Sequence, residues 1–165
     1  MPPPTIRPEA PADADAIRDL TAAAFAGQPH GDGTEPGIPE ALRRDGDLML
    51  SSVAVEAERI VGHIAFSPVR IEGATGWLAL GPLSVDPDRQ RRGIGTALVR
   101  DGLSRIRAGG AAGCVLVGDP DYYRRFGFEG GTLTYADTPP RYVQGLAFDG
   151  PMPAGEVRFA SAFGA

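Results

Sequence analysis

The residues with the most chemical content lie together: Arg89, Gln90, Arg91, Arg92, Gly93, Ile94, Gly95 and Thr96, directly ahead of an apolar helical pattern. A glycine-rich turn at a helix start leaves backbone N–H groups pointing outward. The helix dipole adds about half a positive charge there, and three arginines stand beside it. In a chain of net charge −5 this local positive excess is an anion site, and it suits a pyrophosphate. Gly93 and Gly95 let the backbone approach without Cβ atoms in the way, and Thr96 adds a hydroxyl donor. All 16 basic residues are Arg; with no Lys, a Walker-type phosphate lysine and a Schiff-base lysine are both excluded. A dinucleotide fingerprint fits less well. Gly93-Ile94-Gly95 supplies two glycines and Asp119 could imitate the ribose-binding acid, but Leu98 stands at the third glycine position. Asp86 to Arg92 also separate the preceding strand from the glycines, so dinucleotide binding is the runner-up.

The other reactive side chains are few. Cys114 is the single cysteine, so no internal disulfide forms, and two histidines permit no zinc spacing; no metal is expected. Cys114 lies in the apolar run Cys114-Val115-Leu116-Val117 without a local His, conditions that keep a thiol inert. Tyr122 and Tyr123 open a short helix; adjacent positions on a helix point apart, and Tyr122 is expected to pack. His63 sits in a strand run, and Glu35 in a polar Gly/Pro-rich loop from Gly27 to Pro39 that also holds Asp32. Loops of that length often shape a substrate mouth, and its acidity fits a cationic ligand.

These residues need a frame. Thr5 to Arg7 read as a strand ended by Pro8. A helical pattern follows from Asp13, with Ile17, Leu20 and Ala24 on one face, Asp13 or Asp15 as N-cap and Gly27 as stop. After a short helix over 40–44 come strand runs at 48–56, 59–69 and 77–85, an antiparallel meander with turns at 57–58 and 72–76. From Gly93 a helix runs to about Ala108, where Gly102 costs roughly 1 kcal/mol relative to Ala. The wholly apolar run 114–117 reads as a strand buried on both faces, a parallel neighbour of the strand before the helix. A short helix over 121–126 and strands near 128–135, 142–148 and 156–159 complete an α+β class with a mixed, mostly antiparallel sheet.

Composition bounds the rest. At 165 residues and 42% hydrophobic content the chain fits one domain over 1–165, with its core at about 4–150 and a C-terminal strand at 156–160. Gly and Pro are frequent, 23 and 16, but fall between apolar runs and read as turns. The acidic balance argues against a nucleic-acid partner and a polybasic membrane surface. No apolar run approaches the roughly 20 residues of a membrane span, and the start lacks the pattern of a secretory signal, so a cytoplasmic location is expected.

Gln90-Arg91-Arg92-Gly93-Ile94-Gly95 resembles the Q/R-x-x-G-x-G/A signature of the Gcn5-related N-acetyltransferase (GNAT) superfamily. Tyr123-Arg124-Arg125-Phe126-Gly127-Phe128 resembles its Y-x-x-x-G-F helix, and the order of elements agrees over nearly the whole chain. Val61 to Phe66 and the ending Phe159 to Gly164 are similar to a bacterial branch of acetyltransferases. The resemblance implies a sheet of roughly six to seven strands flanked by about four helices. It implies acetyl-CoA as cosubstrate, a small amine or peptide as acceptor, and direct attack through a ternary complex in a monomer or homodimer. Leu83, Ser84 and Val85 would receive the pantetheine arm, with Pro82 where strand pairing breaks. Gln90, Arg91, Arg92, Gly93, Ile94, Gly95 and Thr96 would hold the pyrophosphate, the Leu83 N–H would polarise the thioester carbonyl, and Tyr123 would protonate the leaving thiolate. Many relatives carry a Glu on the strand before the signature, whereas Trp77 to Gly81 holds no carboxylate. Glu35, Asp119 and His63 (through water) are the candidate bases or acceptor contacts; Asp119 could instead cap the helix that follows it. A CoA-binding sensor without turnover is the alternative.

Overall fold

The computed structural model describes residues 3–28 and 33–164. Thr5–Pro8 (β1) leads into Ala14–Phe25 (α1), which buries Ile17, Leu20, Thr21 and Ala24, the i, i+3, i+4, i+7 stripe of an amphipathic helix. Asp13 precedes α1 but makes no side-chain cap to it. Its carboxylate is drawn to Arg7 at 2.7 Å and accepts the Ala10 N–H at 2.7 Å, closing the turn before the helix. Ile38–Asp45 (α2) stops at Gly46, which takes the left-handed φ of 76°.

Leu50–Glu56 (β2), Arg59–Ile71 (β3) and Trp77–Val85 (β4) form the antiparallel meander. Ile94–Ala108 (α3) then crosses over to Gly113–Val117 (β5), which pairs in parallel with β4. Pro120–Tyr123 (α4) continues as a 3-10 turn over Arg124–Phe126. The chain closes with Glu129–Gly130 (β6), Leu133–Thr134 (β7), Val143–Ala147 (β8) and Gly155–Phe159 (β9). The strand order is β1-β2-β3-β4-β5-β8-β6, with β9 laid against β3 and β7. Only β4–β5 and β7–β9 are parallel, so the sheet is mixed and mostly antiparallel. There are more strand segments than expected. The run 128–135 breaks into two two-residue strands, and β9 folds back on Val69–Ile71.

One sheet face packs Ile64, Phe66 and Leu80 against Ile94, Leu98, Val99 and Leu103 of α3; beside the other, Ala65 meets Ile38 and Leu42 of α2. Gly102 has a positive reason to be where it is. A Cβ there would lie 2.5 Å from the Phe66 ring, so glycine lets α3 sit down on β3.

Candidate active site

The site starts from a strand that loses its neighbour. β4 pairs with β5 only through Trp77, Leu78 and Ala79, whereas on its other edge it follows β3 as far as Val85. The β3–β4 register slips between Leu80, opposite Phe66, and Leu83, opposite Ile64, so Gly81-Pro82 is an inserted bulge; the peptide between them is cis. Asp86 N donates to Val61 O at 2.8 Å. By the alternation of antiparallel pairing, Leu83 and Val85 therefore turn their N–H and C=O groups away from β3, into the space that β5 has left. The Val85 carbonyl accepts from Gln90 Nε2 at 3.3 Å on that side. Ser84 is different: its backbone faces β3, and its buried hydroxyl donates to Thr21 of α1 at 3.5 Å. The slot thus takes Leu83 and Val85 and leaves Ser84 out.

At the top of β4 the chain turns through the arginine-rich loop. Asp86 accepts from the Asp88 N–H and from Arg89, each at 2.9 Å, and Arg89 also reaches Glu56 at 3.1 Å. Arg89 thereby anchors the loop, and the free cations beside the glycines are two rather than three. Arg91 and Arg92 are exposed and have no ion-pair partner among the described residues. Arg91 and Gly93 both adopt positive φ, 67° and 85°, which coils the backbone into a concave loop. The first helical hydrogen bond of α3 runs from Ala97 N to Gly93 O, so the amides of Ile94, Gly95 and Thr96 remain unused by the helix. A Cβ added at Gly93 would meet nothing within 4 Å.

The facing wall is α4. Asp119 caps it, accepting the Asp121 N–H at 2.9 Å. Tyr123 lies against Gly118, where a Cβ would stand 2.6 Å from its ring, and is edge-on to Phe128 at 6.0 Å between centroids. Burial pushes its phenol well above the ordinary value, and Tyr122, Cys114 and Asp119 push the same way. Tyr122 points elsewhere, but it does more than pack: its hydroxyl is 3.0 Å from Thr96 Oγ1 on the first turn of α3. Cys114 is fully buried, and burial raises its thiol far out of the reactive range.

His63 is sealed within the sheet, its Nε2 2.8 Å from Ser51 Oγ and its Nδ1 without a partner. Burial, aided by the Arg43 charge, lowers its pKa to about 4, so the ring is neutral. Arg43 itself holds Glu9 at 2.6 Å, a half-buried polar seam that no sequence spacing announces. Glu35 opens the 3-10 turn Glu35–Gly37 beside α1; Asp32 lies outside the described residues. Among the described residues no group of three or more His, Cys, Asp or Glu is placed to hold a metal ion. Alongside α3, an open groove of about 620 Å³ is lined by Arg100, Arg107 and Arg125 with Phe126 and Phe148.

A split sheet whose open strand edge leads to an amide-lined, cationic helix start offers a place for an extended arm that ends in an anion. Residues 49–130 match the model of the acetyltransferase (GNAT) domain. The chain is 38% identical over 126 residues to the uncharacterized N-acetyltransferase YhbS of Escherichia coli K12, covering 75% of this chain and 72% of that protein. A GNAT family acetyltransferase from Brucella melitensis, solved in complex with acetyl-CoA, superposes with a TM-score of 0.87 at 49% identity, over 96% of this chain and 97% of that one. The E. coli YhbS structure in complex with CoA gives a TM-score of 0.89 at 31% identity, over 99% and 93% of the two chains. The chain belongs to the GNAT acetyltransferase family.

Proposed function

We propose that the protein transfers the acetyl group of acetyl-CoA to an amine of a small molecule or peptide, by direct attack in a ternary complex in the cytoplasm. The observation that carries this reading is the edge of β4 left unpaired by β5, where the backbone groups of Leu83 and the N–H of Val85 face the slot beside the unused amides of Ile94, Gly95 and Thr96. The acetyl-CoA and CoA complexes of the Brucella melitensis and E. coli proteins support it. Bound acetyl-CoA supplies an acetyl thioester. Leu83 and Val85 pair with the amide-bearing arm as a neighbouring strand would, and the Leu83 N–H is the donor for the thioester carbonyl. Gln90, Arg91, Arg92 and the amides of Gly93 to Thr96 hold the diphosphate. Arg100 of α3 and Arg125 of the turn after α4, which line the open groove, are the cations we assign to the phosphorylated ribose.

Tyr123 holds the proton destined for the departing sulfur. With ordinary values the transfer from phenol to thiolate is uphill by about 2 kcal/mol. Burial makes this phenol a weaker acid. The mismatch closes only if the sulfur sits in the same dry surroundings, where its own pKa rises too. The amine must arrive neutral, a cost of about 4.6 kcal/mol for an ordinary alkylamine at pH 7. Of the three candidates for that proton, Asp119 is engaged as a helix cap and His63 is sealed beneath α1. Glu35, on the polar loop, is the carboxylate we assign to the ammonium end of the acceptor.

The absence of a carboxylate from Trp77 to Gly81 favours a second reading, a CoA-binding module without turnover. Steady-state assay of free thiol release from acetyl-CoA across a panel of amines separates the two. Amine-dependent release supports the enzyme; tight CoA binding with no release above background for any amine supports the module.

A further inference from the structure

Beyond Ala79, where β4 and β5 part, the two sides of the slot are tied by side chains. The hydrogen bond between Tyr122 Oη and Thr96 Oγ1, 3.0 Å, joins the wall made by α4 to the first turn of α3. A Cβ built on Gly95 would lie 3.5 Å from the same Tyr122 oxygen, 3.5 Å from the Val85 side chain and 3.9 Å from that of Leu83. The phenol therefore stands where the open edge of β4 meets the amides of the cradle. Its ring is fixed from several directions. The Arg125 guanidinium covers one face at 4.3 Å and donates to the Tyr122 carbonyl at 2.8 Å, while Tyr123 and Phe126 pack edge-on at 4.9 and 5.6 Å. Two hydroxyls carry two protons, and their mutual bond uses one. The other O–H is a spare donor on the first turn of α3, among amides the helix leaves unused, and the loop that leads into that turn carries the exposed Arg91 and Arg92.

We infer that the Tyr122–Thr96 hydroxyl pair is part of the donor site and gives its spare hydrogen bond to the diphosphate; the inference rests on the acetyl-CoA reading above. Tyr122 is thus a binding residue, separate from the proton carried by Tyr123.

Calorimetric titration of the whole chain with CoA, joined to steady-state kinetics with acetyl-CoA and with S-acetylpantetheine, tests it. S-acetylpantetheine has the same thioester and arm but no diphosphate. Tyr122→Phe is expected to raise the CoA Kd and the acetyl-CoA KM about tenfold, with kcat within twofold and the KM for S-acetylpantetheine unchanged. Thr96→Val should do the same, and Thr96→Ser should restore wild-type affinity. If Tyr122→Phe leaves the CoA Kd unchanged, the inference fails. It fails equally if both KM values rise together, which would mark a structural tie, or if kcat alone falls, which would move the hydroxyl to proton transfer. Thr96→Val is the independent check should Tyr122→Phe not fold. A wild-type protein that does not bind CoA overturns the acetyltransferase reading itself, a result distinct from a variant that binds as well as wild type.

Discussion

Two adjacent tyrosines share one short helix and meet different surroundings. Tyr123 faces the buried side of the slot and Tyr122 the start of α3. Replacing Tyr123 by Phe is expected to lower kcat about 100-fold, the lower end of general-acid effects, with the CoA Kd within twofold of wild type; unchanged kcat would remove it from the mechanism. Because burial raises this phenol, the rate should show no alkaline fall from Tyr123 up to about pH 10. His63 carries a stability prediction of its own. Its folded pKa of about 4 lies below the ordinary 6.5, so the unfolded chain takes up a proton first as pH falls. The stability it contributes is present above pH 6.5 and is lost progressively between 6.5 and 4, by about 3 kcal/mol in total. Denaturant melts across that window should flatten in His63→Gln, and an equal slope in both proteins would contradict the assignment. At this scale residue types are informative: arginines beside paired glycines at a helix start make the candidate anion site legible in the sequence. The Tyr122–Thr96 contact was not legible, because it joins residues 26 positions apart through the packing of α4 on α3.

At the scale of elements, the glycines decide how closely layers approach. A helix-propensity argument predicts that Gly102→Ala stabilises α3 by roughly 1 kcal/mol. The Phe66 ring reverses the sign. Overpacking against it should destabilise the protein by about 1–3 kcal/mol, read as a lower denaturant midpoint, and a raised midpoint would show that Phe66 can move aside at no cost. The loop before α3 divides its arginines by partner. Arg89 braces Asp86 and Glu56, whereas Arg92 is exposed and has no ion-pair partner among the described residues. Arg92→Glu should weaken CoA binding at least tenfold with little change in the melting temperature, because it removes a charge-assisted contact and adds a repulsive one. The order of elements was legible because each apolar run keeps one period between glycine and proline stops. The Gly81-Pro82 bulge was only half legible: the missing proline N–H hints at broken pairing, but the register slip belongs to β3 and β4 jointly.

Over the whole molecule, the arginines divide by whether they have an acidic partner. Among the described residues, eight of the sixteen arginines, from Arg7 to Arg158, are held in ion pairs with acidic neighbours. Arg59, Arg70, Arg91, Arg92, Arg100, Arg107, Arg125 and Arg141 have no such partner among the described residues, and Arg91, Arg92, Arg100, Arg107 and Arg125 lie along α3, its leading loop or the turn after α4. Unpaired arginines gathered around one helix of an acidic protein are expected to speed encounter with an anionic donor and to make it salt-dependent. No helix among the described residues is long and apolar enough to cross a membrane. The folding of β9 onto the end of β3 lay beyond the sequence pattern, since a five-residue strand says nothing about which distant edge it will choose. The central claim is that the open edge of β4 and the start of α3 form one site for a CoA thioester. Calorimetric titration of the purified protein with acetyl-CoA, CoA and NAD tests it most directly. Saturable binding of acetyl-CoA and CoA, weakening with added salt and with none to NAD, is the predicted result. Binding to NAD alone, or to none of the three, would contradict it.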